Sequence, residues 1–231
     1  MWNIKYIIQD LLQSKNFQEF INHRFSEDSK VILPRNSFKT ISTEYATFYF
    51  DDYVQTIGDV ELDYSFEDML PSDIVLDIGA CIGAFSLKAC RKAVRVYAVE
   101  PFMTAQLNRN IELNKVKNVI VFNTALGKGE LNLKWGNMVR KVKSMSLTEI
   151  INLCGGHVDF LKLDCEGGEW YIQPQELQGI RRIEAEVHNF DGKHKFRDFE
   201  SMLVQAGFDY IRKPLKGGIE TICISARKKH N

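Results

Sequence analysis

Ile74, Val75 and Leu76 form an apolar run without alternation, the pattern of a parallel strand covered on both faces. The run breaks at Gly79 and Gly83, and Ala84, Phe85, Leu87 and Ala89 then resume at a spacing that suits a helix. The same punctuation repeats downstream. Residues 93–100 predict a second strand, 104–114 a helix with Leu107 and Ile111 on one face, and 119–122 a third strand. Residues 128–135 and 138–142 predict a hairpin, 147–153 a helix and 158–164 a further strand. In the strand over 180–189, Ile183, Ala185 and Val187 alternate with Glu184, Glu186 and His188, which puts both acids and the histidine on one face. A central strand is normally covered on both sides, so this polar face predicts that its later part opens into a cleft. Phe196, Phe199, Met202, Leu203 and Ala206 predict an amphipathic helix ended by Gly207, with closing strands near 208–212 and 219–225. Strands alternating with helices in this way predict a doubly wound, Rossmann-like α/β fold.

Ahead of this region, Ile4, Ile7, Ile8, Leu11 and Leu12, then Phe17, Phe20 and Ile21, predict two short amphipathic helices. The aromatic and β-branched stretch 31–53 suggests one or two strands, and 60–71 reads as an acidic segment ending in a turn. The chain therefore divides into an N-terminal extension, 1–70, and a main domain, 71–231.

Composition narrows the class. At 231 residues, 45% hydrophobic and 26% charged, the sequence is that of an ordinary globular protein with room for one α/β domain and an extension. Thirty basic residues balance thirty acidic ones, so no overall field draws the protein to nucleic acid or an anionic membrane. Five cysteines, odd in number and without a C-x-x-C pair, fit neither a disulfide framework nor a zinc knuckle. Asp10 and Lys15 interrupt the N-terminal apolar residues, and no apolar run approaches the roughly 20 residues that span a bilayer. A cytoplasmic location without a membrane span is expected.

Charge also speaks to the ligand. A dinucleotide fingerprint places pyrophosphate on a helix N-terminus, whereas here the spacing is Gly79-x-x-x-Gly83 and Asp77 stands just before the turn. A carboxylate there repels phosphate but attracts the sulfonium and ammonium of S-adenosylmethionine. Glu100 ends the second strand 23 residues after Asp77, where its two oxygens can accept both hydroxyls of a ribose. Asn123, Thr124 and Ala125 form the tip of the next strand, and Asp164, Glu166 and Glu169 gather at another strand end.

Taken together, Val75-Leu-Asp-Ile-Gly-Ala-Cys-Ile-Gly83, Val96-Tyr-Ala-Val-Glu-Pro101, Asn110-Ile-Glu-Leu-Asn114 and Asp159-Phe-Leu-Lys-Leu-Asp-Cys-Glu-Gly-Gly-Glu169 resemble an FkbM-type methyltransferase over roughly 71–190. The resemblance implies a seven-stranded, mostly parallel sheet with a reversed last strand, S-adenosylmethionine as cofactor, and O-methylation of a small molecule, sugar or lipid-linked glycan. It implies cofactor contacts from Asp77, Gly79, Ala80, Cys81 and Gly83, from Glu100, Pro101 and Phe102, from Asn123, Thr124 and Ala125, and from Asp164. Cys81 stands where the family usually has Asn. By the same resemblance Asp164, Glu166 and Glu169 would border the reacting centre; His188 is the candidate base for the acceptor proton, against the reading that it caps a strand while Asp164 or Glu166 orients substrate. No metal is expected, although Asp164, Glu166, Glu186 and His188 are ligand-type residues. Nucleic acid is not the expected partner, because Leu163-Asp-Cys-Glu stands where amino-group methylases carry an Asn/Asp-Pro-Pro-aromatic turn. An RNA methyltransferase and a non-catalytic cofactor-binding module are the alternatives.

Overall fold

The computed structural model describes residues 40–49, 55–135, 138–190, 192–213 and 220–229. The helices expected over 4–21 lie outside the described residues. Within 31–53 two short strands pair antiparallel, β1 (Thr40–Ser42) and β2 (Thr47–Tyr49), and both bury their middle residue, Ile41 and Phe48. A helix, α1 (Gln55–Asp63), runs into the stretch expected to be an acidic loop. Ile57, Val60 and Tyr64 recur at spacings of three and four and are all buried, so the apolar stripe decides the conformation despite the acids between.

The region after residue 70 follows in the predicted order. It comprises β3 (Ile74–Ile78), α2 (Ala84–Ala89), β4 (Arg95–Val99), α3 (Thr104–Leu113), β5 (Val119–Phe122), β6 (Ala125–Leu126) and the hairpin of β7 (Glu130–Trp135) and β8 (Met138–Met145). Next come α4 (Leu147–Leu153), β9 (Phe160–Leu163), β10 (Arg182–His188), α5 (Phe196–Gln205), β11 (Phe208–Lys213) and β12 (Thr221–Lys228). Ser146 starts α4 with a reciprocal cap: its hydroxyl accepts from the Glu149 N–H while the Glu149 carboxylate accepts from the Ser146 N–H.

The seven-stranded sheet has the order β11-β12-β10-β9-β3-β4-β5. β12 runs antiparallel to both β10 and β11, and the other neighbouring pairs are parallel, so the last strand is the reversed one. Period two sorts the side chains into two cores. Val75, Val96, Ala98 and Phe160 pack with α1, α2, α3 and the described part of the extension, whereas Leu76, Ile78, Leu161, Leu163, Ile183 and Val187 pack with α4 and α5. Among the described residues no helix is long and apolar enough to cross a membrane. All five cysteines are free.

One row on the first face is charged rather than apolar. Asp77 lies opposite Lys162, Lys162 opposite Glu184, and Glu184 opposite Ser225, so buried charges alternate across adjacent strands. Beside this row, buried Arg182 donates to the carboxylate of Glu184, to the Ser225 hydroxyl at 2.7 Å and to Asp68 at 3.0 Å. Asp68 also meets Arg227 at 3.0 Å and so ties the segment after α1 to β10 and β12.

Burial pushes the Asp68 carboxyl up, but Arg182 and Arg227 outweigh it and hold it below its ordinary 3.8. A depressed folded-state pKa stabilises the protein above the unfolded value and ceases to do so as pH falls through the folded one. Asp68→Asn is expected to lower stability by roughly 1.5–3 kcal/mol at pH 7, the range for hydrogen bonds to a charged group. The gap to the unaltered protein should close in denaturant titrations taken below pH 3.8. A deficit that stays constant down to pH 2.5 or so would assign the effect to packing instead.

Candidate active site

The chain winds from β3 outward through β4 to β5 and then returns to β9 on the other side of β3. The crevice above the carboxyl ends of β3 and β9 is therefore a topological switch point, where open α/β sheets bind ligands. A cleft of about 950 Å³ occupies this place. Its walls come from the turn after β3, the ends of β4, β9 and β10, Thr56 and Asp59 of α1, and Leu131 and Leu133 of β7.

Gly79 sets the floor. Its φ is +79°, and a Cβ there would lie 1.7 Å from the Asp164 carbonyl oxygen, so only glycine lets the turn pass this close to the end of β9. Its N–H donates to the Val99 carbonyl at 2.9 Å and its own carbonyl accepts from Lys162 at 2.8 Å. Cys81 follows with φ +50°, a left-handed conformation that asparagine takes more readily than cysteine.

Of the residues expected to contact a cofactor, Gly79, Cys81, Glu100, Pro101, Phe102, Thr124, Ala125 and Asp164 line the cleft. Asp77, Ala80, Gly83 and Asn123 are not among the lining residues. Asp77 is completely buried beneath the turn, where it accepts from the Ser86 hydroxyl at 2.6 Å and pairs with Lys162 at 3.2 Å. Its charge answers a lysine of the sheet rather than a ligand, which corrects the reading from sequence. Ala80 is buried, a Cβ on Gly83 would meet Leu107 at 2.5 Å, and Asn123 is exposed at its strand tip.

Glu100 sits on the cleft at the end of β4. One carboxylate oxygen accepts the Cys81 N–H at 2.8 Å, and the other accepts those of Phe102 and Met103, the latter at 2.9 Å. A carboxylate offers about four acceptor positions, so one, on the oxygen bound to Cys81, stays open toward a ligand. The expectation that both oxygens serve a ribose is thus reduced to one. Burial raises the Glu100 carboxyl above its ordinary range, with the three N–H groups acting against the rise.

The other end of the cleft is acidic. Asp164 accepts from the Tyr64 hydroxyl at 3.0 Å, and His188 Nε2 faces Glu186 at 3.3 Å and Glu166 at 3.9 Å. Glu169 does not reach the cleft: it is buried, and its oxygens accept the Cys165 and Gly167 N–H groups at 2.7 and 2.8 Å. Burial alone disfavours a charged His188 ring, yet the facing carboxylates of Glu169 and Glu186, with Asp164, outweigh it and lift its pKa to about 11. A ring that is protonated at neutral pH has no lone pair to accept a proton. His188 in this state is a donor and counter-ion, so the assignment of the base moves toward Asp164 and Glu166. Glu166 itself is raised, by burial first and then by Asp164 and Glu169, with His188 opposing.

Sequence reasoning missed three groups. Asp59 carries a carboxyl raised to about 7 by burial and by Asp63, Glu186 and Asp164, and it reaches the cleft because α1 does. The Ile57, Val60, Tyr64 stripe was the available signal. Lys162 is buried below Gly79 with no local signal of its role. Trp170 and His194 stack at 4.4 Å and with exposed Phe190 form an aromatic rim, which only long-range packing assembles.

No protein-family model matches the sequence, and no curated protein matches it significantly. Solved structures do. A Methanococcus jannaschii fibrillarin pre-rRNA processing protein superposes at TM-score 0.55 and 11% identity, over 89% of this chain and 84% of that one. A ribosomal protein L11 methylase from Lactobacillus delbrueckii subsp. bulgaricus gives 0.51 and 15%, over 79% and 82%. An rRNA methylase from Streptococcus thermophilus gives 0.50 and 10%, over 71% and 91%. Two of the three are named for rRNA, so these likenesses lend no support to excluding nucleic acid as a partner. At such identities the likeness is one of fold alone, a fold that two proteins named as methylases share.

Proposed function

We propose that the cleft binds S-adenosylmethionine and that the protein transfers its methyl group to a hydroxyl of a small molecule, sugar or lipid-linked glycan, as the FkbM-type motifs imply. The observation that carries this reading is Glu100: a buried carboxylate fixed by three backbone N–H groups, with one acceptor position open at the cleft. That position suits a ribose hydroxyl, Thr124 and Ala125 flank the space for a base, and the turn at Gly79–Cys81 lies under the aminoacyl arm. The negative charge of Asp164, Glu166 and Glu186 favours a sulfonium and disfavours phosphate.

The bound cofactor supplies the electrophile, a methyl group on positive sulfur. The chain's residues align the acceptor, exclude water and receive its proton. The cofactor's sulfur would keep the bonding pair of the methyl group it gives up, and Asp164 or Glu166 would receive the acceptor's hydroxyl proton. The aromatic rim of Trp170, His194 and Phe190 fits the flat apolar face of a ring, and the carboxylates beneath accept from its hydroxyls.

Calorimetry is expected to show binding of S-adenosylmethionine and of its demethylated product. Glu100→Ala should weaken both by roughly 1.5–3 kcal/mol, about ten- to a hundredfold. No heat with either ligand together with tight NAD binding would overturn the reading. Transfer of labelled methyl to components of a metabolite extract identifies the acceptor. A second reading, an RNA acceptor, is favoured by exposed Arg140, Lys141 and Lys143 on β8 beside the cleft-lining β7. It requires an RNA affinity that falls steeply with salt.

A further inference from the structure

We propose that Asp164, Glu186 and His188 form a site for a divalent transition-metal ion at the acidic end of the cleft, with Glu169 behind the histidine to orient its ring. This goes beyond the methyl-transfer reading and rests on the geometry of the strand ends. Asp164 follows β9, and Glu186 and His188 stand two residues apart on the adjacent parallel strand β10, so their side chains share a face. One ligand atom from each lies within 4.8 Å of the other two. An ion between them would sit roughly 2.0–2.2 Å from each nitrogen and oxygen ligand.

A second observation comes from the histidine itself. Its side chain is only 5% exposed, and Nε2 points at the carboxylates of Glu186 and Glu166. Nδ1 has no hydrogen-bond partner and lies 3.7 Å from an oxygen of buried Glu169. Metal-bound histidines donate their other ring N–H to a carboxylate, and Glu169 is the carboxylate that buried Nδ1 faces, short of a hydrogen bond. Charge points the same way. Asp164, Glu166, Glu169 and Glu186 surround one imidazole, while Lys162, 3.6 Å from Asp164, is held closer by Asp77 and the Gly79 carbonyl. A divalent ion among these carboxylates would add positive charge where four acids converge. Mixed carboxylate and imidazole ligands suit manganese, iron, cobalt or zinc better than calcium or magnesium, which prefer oxygen alone. At this place the ion would hold the acceptor hydroxyl in line with the departing methyl group.

The test uses the full chain, stripped with chelator, desalted and titrated with Mn²⁺ while free ion is read by electron paramagnetic resonance. One ion per chain is expected. Glu186→Gln and His188→Gln should each weaken binding at least tenfold, and Glu169→Gln by about 10–100-fold, the usual effect of losing such an orienting partner. Glu149→Gln, on the exposed cap of α4, should change nothing. Should a variant fail to fold, the unaltered protein still decides: bound Mn²⁺ should broaden the indole N–H resonance of Trp170, which donates to the His188 carbonyl. No stoichiometric binding, or equal binding by all variants as an adventitious ion only, overturns the site. Such a failure would leave the heat of S-adenosylmethionine binding intact, which separates it from failure of the methyl-transfer reading.

Discussion

Gly79→Ala is expected to lower stability by about 3 kcal/mol or more and to abolish ligand binding in the cleft. Two effects combine. The residue has φ +79°, which costs an L side chain roughly 1–2 kcal/mol. The added Cβ would also lie 1.7 Å from the Asp164 carbonyl oxygen and 2.7 Å from its carbon, and both are backbone atoms that cannot rotate away. Relief requires the turn to withdraw from the end of β9, and the Gly79 carbonyl then leaves Lys162. The comparison that isolates the clash is Gly155→Ala, because Gly155 has φ +91° and nothing within 4 Å of a built Cβ. That variant should lose only the conformational part. Thermal unfolding of both variants, with titration of the demethylated cofactor product, checks the expectation. Equal losses would show that the end of β9 yields without effort and that the close approach is unimportant.

The contrast between these two glycines marks what a sequence can tell. The strand β3 was legible with its glycine turn, because burial on both faces writes itself as an unbroken apolar run, whereas β4 and the half-buried edge strand β5 were legible by their β-branched and aromatic residues. Glu100 was legible by spacing, since one βαβ unit fixes how far the next strand tip lies from the turn. Asp77 was misread, because the partner that explains it, Lys162, arrives across the sheet from β9. The face of β10 was legible by alternation, but its first half proved to be sealed with Asp68, Ser225 and Lys213, and only Glu186 and His188 open to the cleft. Two of the carboxylates that face His188, Glu166 and Glu169, come from the turn after β9, which alternation along β10 cannot register. Over 60–71 the acids outweighed the apolar stripe in a reading by composition, and with the end of α1 went a wall of the cleft.

Lys162→Met is expected to cost about 3–5 kcal/mol, the range for removing one partner of a buried ion pair. Lys162 is 3% exposed and Asp77 0%, with 3.2 Å between Nζ and the carboxylate. Methionine fills a similar volume, so the loss comes mainly from leaving the Asp77 charge with Ser86 as its remaining hydrogen-bond donor. Burial opposes the charge on Lys162, yet Asp77 and Asp164 outweigh it and raise its pKa, so the lysine is charged at neutral pH. A double-mutant cycle with Asp77→Asn separates charge from packing. Asparagine keeps an acceptor for Ser86 and removes the charge, so the double variant should be more stable than Lys162→Met alone by about 1–3 kcal/mol. Cofactor affinity should not recover with it, because the Gly79 carbonyl still lacks the donor that holds the turn at 2.8 Å. A double variant that regains both stability and affinity would show that the lysine neutralises Asp77 and has no part in shaping the cleft. If it regains neither, the cost belongs to packing around Phe85 and Tyr64, whose rings lie within 6.0 Å of the lysine nitrogen.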